Sequence, residues 1–302
     1  MDVSVIIVNY NTFELTCKCI NSVYQFTKEV SFEIILIDNA SAECNAGLFL
    51  EKFPGIVLIK NTENVGFAKG NNTGIKLATG NSILLLNSDT ELIEDSISMC
   101  CKKLEQLQDK VGIITCKLVY PNGDIQKQCY RFPSISLKLL ELFRVHKLFR
   151  AKNRAQKFMG SYFDNCSDIM PDYVWGTFFM FKRDSLRKMV DGKLNEDYFM
   201  YYEDVRWCYD FSKQNKKCYY YSQTSIIHHL SQSLKHKSNK SRIIVHNELN
   251  FIARIHGRSY MALYGFSTSL NSLFSSFHIG KNYSLFYCYI QEVFKTLGGS
   301  NY

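Results

Sequence analysis

The residues able to do chemistry in this chain gather directly after short apolar runs. Val3–Val8 leads into Asn9-Tyr10-Asn11-Thr12, and Phe32–Ile37 into Asp38-Asn39-Ala40-Ser41. Ile56–Ile59 leads into the stretch from Asn61 to Gly66, and Ser82–Leu86 into Asn87-Ser88-Asp89. One such segment is an ordinary turn or helix cap, which suffices for Ser41 and Thr90. Four of them at four strand ends make a polar crevice for a ligand rich in hydrogen-bonding groups. Asp89 closes an apolar strand, where a carboxylate can hold Mg2+ or Mn2+; such an ion takes one or two protein oxygens and completes its shell with substrate phosphates. The competing reading makes Asp89 the cap of a helix starting near Glu91. Gly66, Gly70 and Gly74 recur every four residues on one helical face, which lets that helix approach a sheet closely. Gly66 also opens the helix, where unpaired N–H groups suit an anionic or strongly polar group. Glu203-Asp204 reads as a pair of acids at a helix N-terminus, favoured there by the macrodipole. His228 and His229 close a strand with opposite side-chain directions, so only one of them can face a site.

These residues need a scaffold, and the apolar periodicity supplies one. Between the four strands, Thr12–Phe26, Ala42–Phe53 and Phe67–Thr79 have helical spacing, and Thr90–Leu107 follows the fourth. Four β–α steps in succession predict a mostly parallel, Rossmann-like α/β sheet with helices on both faces and right-handed crossovers. No GxGxxG follows the first strand and no GxxxxGK[ST] occurs, which argues against a dinucleotide fold and a P-loop. Beyond Val111, Val111–Tyr120, a Pro121-Asn122-Gly123 turn and Asp124–Tyr130 read as a strand pair. Residues 134–160 are basic and helix-prone; Tyr173–Lys182 reads as a buried strand, Glu203–Lys213 as a helix, and Lys217–Ser222 and Ser225–His228 as short strands. The expected organisation is a catalytic domain over 1–232, with halves 1–110 and 111–232, followed by a helical extension over 233–302.

With 302 residues, 46% hydrophobic and 21% charged, the chain has a globular composition, and low Gly and Pro exclude collagenous and low-complexity classes. No apolar run reaches the ~18 residues of a membrane span, and the N-terminus lacks the basic start of a signal peptide. Eleven cysteines without a leader fit a reducing, cytoplasmic setting, and their spacing matches no ordinary zinc pattern. The formal net charge is +8, of which +6 lies in residues 233–302. That asymmetry excludes a uniformly nucleic-acid-binding protein and fits a near-neutral catalytic domain with a basic tail.

Seven blocks occur in order: Val3 to Asn11, Ile37 to Ser41, Asn64 to Gly74, Leu86 to Asp89, Tyr173 to Gly176, Tyr198 to Asp204, and His228 to Ser233. Over roughly residues 3–235 the chain resembles the family-2 inverting nucleotide-sugar glycosyltransferases of GT-A fold, and among them the bacterial rhamnosyltransferase-like branch. The resemblance implies that Tyr10 and Asp38 contact the nucleobase, and that Asn64, Gly66 and Asn72 shape the nucleotide and sugar pocket. It makes Asn87-Ser88-Asp89 a variant of the DxD motif, with Asp89 binding the metal and Asn87 carrying one charge less than the usual Asp. It implies that Gly176 lets the chain pass close to the sugar, with Tyr173, Trp175 and Glu203 towards the acceptor. Asp204 matches the catalytic base, which an acceptor hydroxyl needs because it must lose its proton as it attacks. His228 matches a position completing the metal or diphosphate site. One departure is that Arg206 and Asp210 stand where the family has Asp and Arg, a pair of reversed polarity at i,i+4.

The resemblance thus implies transfer of a sugar from a dTDP- or UDP-linked donor to a hydroxyl of a lipid-linked or growing surface glycan. A catalytically idle nucleotide-sugar-binding or scaffold protein of the same fold is the alternative; a sugar nucleotidyltransferase would need a Gly-rich basic loop after the first strand. The tail adds Tyr260, Tyr264, Phe266, Phe274, Phe277, Tyr283, Phe286, Tyr287 and Tyr289 to its positive charge. Basic groups and aromatic rings suit an anionic membrane surface, which would place the protein on the inner face of the plasma membrane. The other reading packs these rings on the catalytic domain or in a homodimer.

Overall fold

The computed structural model describes residues 1–107, 110–230, 237–279 and 284–298. Along the chain run β1 (Val3–Asn9), α1 (Phe13–Phe26), β2 (Phe32–Asp38), α2 (Leu48–Lys52), β3 (Val57–Lys60), α3 (Phe67–Ile75), β4 (Ser82–Asn87) and β5 (Thr90–Leu92). Then come α4 (Ser96–Leu107), β6 (Val111–Val119), β7 (Cys129–Tyr130), α5 (Ile135–Leu142), α6 (Ala151–Phe158), β8 (Tyr173–Val174) and β9 (Phe178–Lys182). Last are α7 (Glu203–Lys213), β10 (Lys217–His228), α8 (Lys237–His256), α9 (Arg258–Ile279) and α10 (Ser284–Leu297). Two compact units result: Met1–Tyr130 with Asp164–Ser233, and Arg131–Phe163 with Leu234–Tyr302.

The first unit is built on one sheet in the order β3-β2-β1-β4-β9-β6-β10-β5. β1, β2, β3 and β4 are mutually parallel, as are β6 and β10. β9 runs antiparallel between β4 and β6, and β5 lies antiparallel on β10. β1 shows why helices cover both faces. Val3, Val5 and Ile7 join the buried cluster that contains Cys17, Ile20 and Val23 of α1. Ile6 and Val8 point the other way, onto α3: a Cβ on Gly74 would fall 2.6 Å from Ile6 Cγ2, and one on Gly70 3.1 Å from Val8 Cγ1. The period of two thus presents an apolar row to each side, and glycine at the α3 contact is a packing requirement.

Several expected elements differ, each for a local reason. Ala42–Phe53 is helical only over α2, because Asn45 Oδ1 takes the Gly47 N–H in a turn. Thr90 starts no helix: β5 pairs Thr90 with His228 and Leu92 with Ile226, and α4 begins at Ser96. Asp95 Oδ1 accepts the Ser98 N–H, so the cap of α4 is Asp95 and not Asp89. The expected hairpin after Val111 shrinks to a single Val119–Ile125 bridge, and Cys129–Tyr130 pairs instead with Tyr173–Val174. Trp175 to Thr177 interrupt the strand expected over 173–182, whereas Lys217–His228 is one strand with a register shift between Tyr221 and Ser225.

In the second unit, Arg131–Phe163 joins the C-terminal helices although the sequence reading places it in the 111–232 half of the catalytic domain. The Ile135 N–H donates to Tyr260 Oη at 3.1 Å, and the Phe132 and Phe251 rings lie 6.5 Å apart. More than a hundred residues separate these partners, so no local pattern announces them. The expected boundary at 232 lies outside the described residues. Tyr264 and Tyr289 are core residues here, correcting their reading as surface rings: both hydroxyls donate to the buried carboxylate of Glu248, Tyr264 at 2.5 Å. Leu263, Phe266, Leu270 and Phe274 instead form an exposed stripe along α9, with Phe294 of α10 against Phe266. Tyr287 is exposed and Phe286 half-buried; Phe277 and Tyr283 lie outside the described side chains. Among the described residues no helix is long and apolar enough to cross a membrane.

Candidate active site

The site lies at the carboxyl ends of β1, β2 and β4, where the strand order reverses around β1. Asn9 is fully buried and organises this edge. Its Nδ2 donates to Asp38 Oδ1 (2.7 Å) and Ser41 Oγ (2.9 Å), while its Oδ1 accepts from Thr12 and Thr16 (2.9 Å each). Asp38 is 4% exposed, and its Oδ2 accepts the Ser41 N–H at 3.1 Å, so both carboxylate oxygens are committed to the rim. Tyr10, one residue past β1, is 47% exposed. Asn39 bridges outward, accepting from Asn61 Nδ2 at 2.7 Å and donating to the Gly66 carbonyl at 3.1 Å. Asn64 Oδ1 accepts the Gly66 N–H at 3.0 Å.

Gly66 and Asn72 sit where expected in sequence, but their surroundings are already filled. Gly66 has φ +85°, and a Cβ there would meet the Phe199 carbonyl oxygen at 2.6 Å; the Phe67 N–H donates to that same oxygen. The start of α3 therefore receives a loop of the protein itself. Asn72 is 2% exposed and clamps the same loop, with Nδ2 on Leu194 O (2.8 Å) and Glu196 Oε1 (2.9 Å) and Oδ1 on the Leu194 N–H (3.1 Å).

The β5–β10 pairing brings Asp89 and His228 together, with Asp89 Oδ1 3.4 Å from His228 Nε2. The hydrogen-bond pattern assigns the histidine tautomer. Gln126 Nε2 donates to the His228 carbonyl at 2.7 Å, which a carbonyl can only accept, so Gln126 Oε1 is the atom 2.8 Å from His228 Nδ1. An amide oxygen cannot donate, so Nδ1 carries the proton and, in the neutral ring, Nε2 presents a lone pair to Asp89. In that neutral form two acceptors stand 3.4 Å apart, compared with the ~3 Å between neighbouring ligands of an ion with ~2.1 Å bonds. The donor set fits a Mg2+ or Mn2+ ion that takes its other ligands from diphosphate and water. Among the described residues no third His, Cys, Asp or Glu joins the pair. His229 is engaged elsewhere, with Nε2 2.8 Å from Glu91 Oε1.

Asp204 stands at the start of α7, after Tyr201 (φ +67°) and Tyr202 (φ +77°), two successive non-glycine residues in the left-handed region. That backbone is sparsely populated, and such strain is found where the fold must hold a group in place. Asp204 Oδ2 accepts the Gly176 N–H at 3.1 Å and Oδ1 its neighbour Val205 N–H at 2.8 Å. Burial outweighs these donors and lifts its carboxyl to about 6. Glu203 is pushed well above the usual carboxylate range, by burial first and then by the charge of Asp204. Its Oε2 is buried and has no hydrogen-bond partner among the described residues. The reversed pair forms as expected, Arg206 Nε donating to Asp210 Oδ1 at 2.9 Å, with Asp197 3.5 Å from Nη1. A half-buried pair of this kind contributes only ~0.2–0.5 kcal/mol, which makes it architectural. Tyr173 and Trp175 flank Tyr130, with ring centroids at 5.3 and 6.5 Å in stacked orientation.

Hydrogen bonds join these groups into one rim. Thr12 and Ser88 hydroxyls lie 3.0 Å apart, linking the first loop to the Asn87-Ser88-Asp89 turn. The Asn87 N–H donates to Thr177 O at 3.0 Å, and Thr177 follows the residue whose N–H holds Asp204. The model of the family described as Glycosyl transferase family 2 matches residues 4–190, which contain most of this rim. The chain belongs to glycosyl transferase family 2. Among curated relatives, the O-antigen biosynthesis protein RfbC of Myxococcus xanthus is 29% identical over 41% of this chain and 10% of its own length. The poly(ribitol-phosphate) beta-glucosyltransferase of Bacillus spizizenii is 32% identical over 50% of this chain and 25% of its own. The chain thus spans a quarter or less of the length of these two relatives. Two solved structures share the GT-A fold across nearly the whole chain. S. aureus TarS 1–349 has TM-score 0.55 at 13% identity, covering 100% of this chain and 93% of that one. The mannosyltransferase PcManGT of Pyrobaculum calidifontis, in complex with GDP-Man and Mn2+, has TM-score 0.57 at 14% identity, covering 99% and 88%.

Sequence reasoning missed Gln126, which lies against His228, and Tyr130, which stacks with Tyr173 and Trp175. Gln126 and Gln128 are both buried and alternate with Ile125, Lys127 and Cys129. Two inward-facing glutamines in one strand-like stretch were the available signal.

Proposed function

We propose that this family-2 chain transfers a sugar, with inversion, from a dTDP- or UDP-linked donor to a hydroxyl of a lipid-linked or growing surface glycan. The observation that carries the reading is the single rim joining the Asp204 carboxylate, at about 6, to the Asp89–His228 pair. Asp204 takes the acceptor proton as its oxygen forms a bond to the anomeric carbon, and the bond from that carbon to the diphosphate breaks with its electron pair leaving on the phosphate. A base near 6 is deprotonated at neutral pH yet still accepts a proton readily. Asp89 Oδ1 and His228 Nε2 would hold Mg2+ or Mn2+, which would offset charge growing on the departing diphosphate. Gln126 is a positioning residue that keeps Nε2 unprotonated for this purpose.

Tyr10 offers an exposed ring to the nucleobase, and Asp38 acts by bracing the loop through Asn9 and Ser41. Asn64, Gly66 and Asn72 hold the Leu194–Phe199 loop over the sugar side. Asn87 and Ser88 tie the metal turn to Thr177 and Thr12, and Gly176 aims Asp204. Tyr173, Trp175 and Glu203 form the acceptor side. Purified protein with Mn2+ should slowly hydrolyse one member of a panel of nucleotide sugars, read as released nucleoside diphosphate. No release from any member, with nucleotide-sugar binding intact, would make the chain an idle binding protein of this fold.

The exposed stripe Leu263, Phe266, Leu270 and Phe274 supports contact with an anionic membrane, where a lipid-linked acceptor resides. The protein should float with phosphatidylglycerol vesicles at low salt, and Phe266→Ser with Phe274→Ser should reduce the floated fraction severalfold. A parent protein that stays at the bottom of the gradient would leave the stripe as a contact between copies of the chain.

A further inference from the structure

Residues 134–160 stand out in the sequence as basic and helix-prone, and neither the sheet nor the transferase site uses them. From Phe143 to Lys157 the chain carries Arg144, Lys147, Arg150, Lys152, Arg154 and Lys157 and no Asp or Glu. Two of these cations lie over rings of the same unit, Arg154 on Tyr162 and Lys157 on Phe149. Lys147, Arg150 and Lys152 are exposed, and their side chains have no hydrogen bond or ion pair among the described residues. Arg150 precedes α6 as its N-cap and Lys152 lies in the first turn, where the macrodipole disfavours positive charge, so helix stability does not account for them.

Two apolar side chains protrude from the same stretch. Leu148 is 85% exposed, the most exposed large apolar side chain among the described residues, and Phe143 is 72% exposed. The local backbone holds them out. Arg144 takes the left-handed conformation (φ 57°) after α5 and opens a short helical turn over Val145–Leu148. His146 in that turn is buried, its ring 5.4 Å from Tyr162 and 6.1 Å from Phe158, and Phe149 lies 5.9 Å from Phe158. Anchored at His146 and Phe149, the turn leaves Lys147 and Leu148 on its outer side. A solvated charge run keeps its apolar neighbours inside, and a polyanion gains nothing from a protruding leucine. Exposed apolar tips among unopposed cations match both layers of an anionic bilayer surface, the headgroup charge and the acyl-chain boundary beneath it.

We propose that Phe143–Lys157 is a docking surface for an anionic lipid bilayer. It shares no residue with the α9 stripe and adds the charge recognition that four apolar side chains cannot supply; it depends on neither that stripe nor the transferase reading. The full chain should float with phosphatidylglycerol-containing vesicles far better than with pure phosphatidylcholine, and added salt should release it. A cation near a charged bilayer surface is worth roughly fivefold in partitioning, so Lys147→Gln with Arg150→Gln should lower the partition coefficient about tenfold or more. Phe143→Ser with Leu148→Ser should lower it by a similar factor, and because all four side chains are exposed, both variants should keep the parent melting temperature. A parent chain that does not float would overturn the surface. So would undiminished flotation of both variants, even where Phe266→Ser with Phe274→Ser reduces it, since lipid would then meet the α9 stripe alone. Loss of binding in the Lys147–Arg150 variant with none in the Phe143–Leu148 variant would also overturn it, leaving the segment a contact for a soluble polyanion.

Discussion

Asp204→Asn is expected to lower sugar transfer by roughly 10²–10⁴-fold while leaving donor affinity near the parent value. The substitution keeps the shape and one accepting oxygen at the start of α7, removes the capacity to take a proton, and turns an NH2 towards one of the two backbone N–H groups that Asp204 accepts. Its stability relative to the parent should depend on pH. Burial raises the Asp204 carboxyl from its ordinary 3.8 to about 6, so the folded protein binds this proton more tightly than the unfolded chain does. As pH rises from about 4 through 6, ionising Asp204 costs the fold stability that the amide does not lose. The melting-temperature difference, variant minus parent, should therefore grow more positive from pH 4 to pH 7.5. Parent transfer should fall as pH drops through about 6, the limb on which the base is protonated. Retention of more than about a tenth of turnover in the variant would place the base on another residue.

Asp89→Ala should weaken binding of a nucleoside diphosphate strongly in Mn2+ and barely in EDTA, measured by calorimetry. His228→Ala should do the same, because its Nε2 is the partner donor at 3.4 Å. Gln126→Leu touches neither the ion nor the nucleotide, yet it removes the oxygen that assigns the His228 proton to Nδ1. Losing such an outer partner typically costs 10–100-fold in metal affinity. Imidazole 15N shifts in the metal-free protein supply a readout independent of activity: the parent should show Nδ1–H, and the variant a mixture of tautomers. His229→Ala should leave Mn2+ affinity unchanged, since that ring is held by Glu91. Equal losses with and without Mn2+ for Asp89→Ala would reduce the Asp89–His228 pair to a brace between β5 and β10.

Much of the scaffold was legible because its signals are local. Continuous Ile, Val and Leu runs mark strands buried on both faces, and helical spacing between them dictates parallel crossovers. The α3 glycines, the helix over Glu203–Lys213 and the Arg206–Asp210 pair each follow from residues within a few turns of one another. The ordered blocks also named the residues that the rim gathers, because polar side chains after apolar strands have little other reason to cluster.

Contacts between distant segments were not legible, and they decide what several of those residues do. Asp89 looks like a helix cap until β5 is seen paired with β10 across more than a hundred residues, which sets it against His228. Gly66 looks like an open anion site until the Phe199 carbonyl occupies it, and Asn72 like a ligand contact until it clamps Leu194. Tyr264 and Tyr289 look like surface rings until both reach Glu248 inside the helical unit. By itself, then, the sequence determined the α/β sheet, the polar edge and the family, since periodicity and strand ends are properties of neighbouring residues. The tertiary structure alone decided which polar groups are spent on the protein and which face outward. A hydrogen bond satisfies whichever partner the fold brings within about 3 Å, and sequence distance carries no information about that choice.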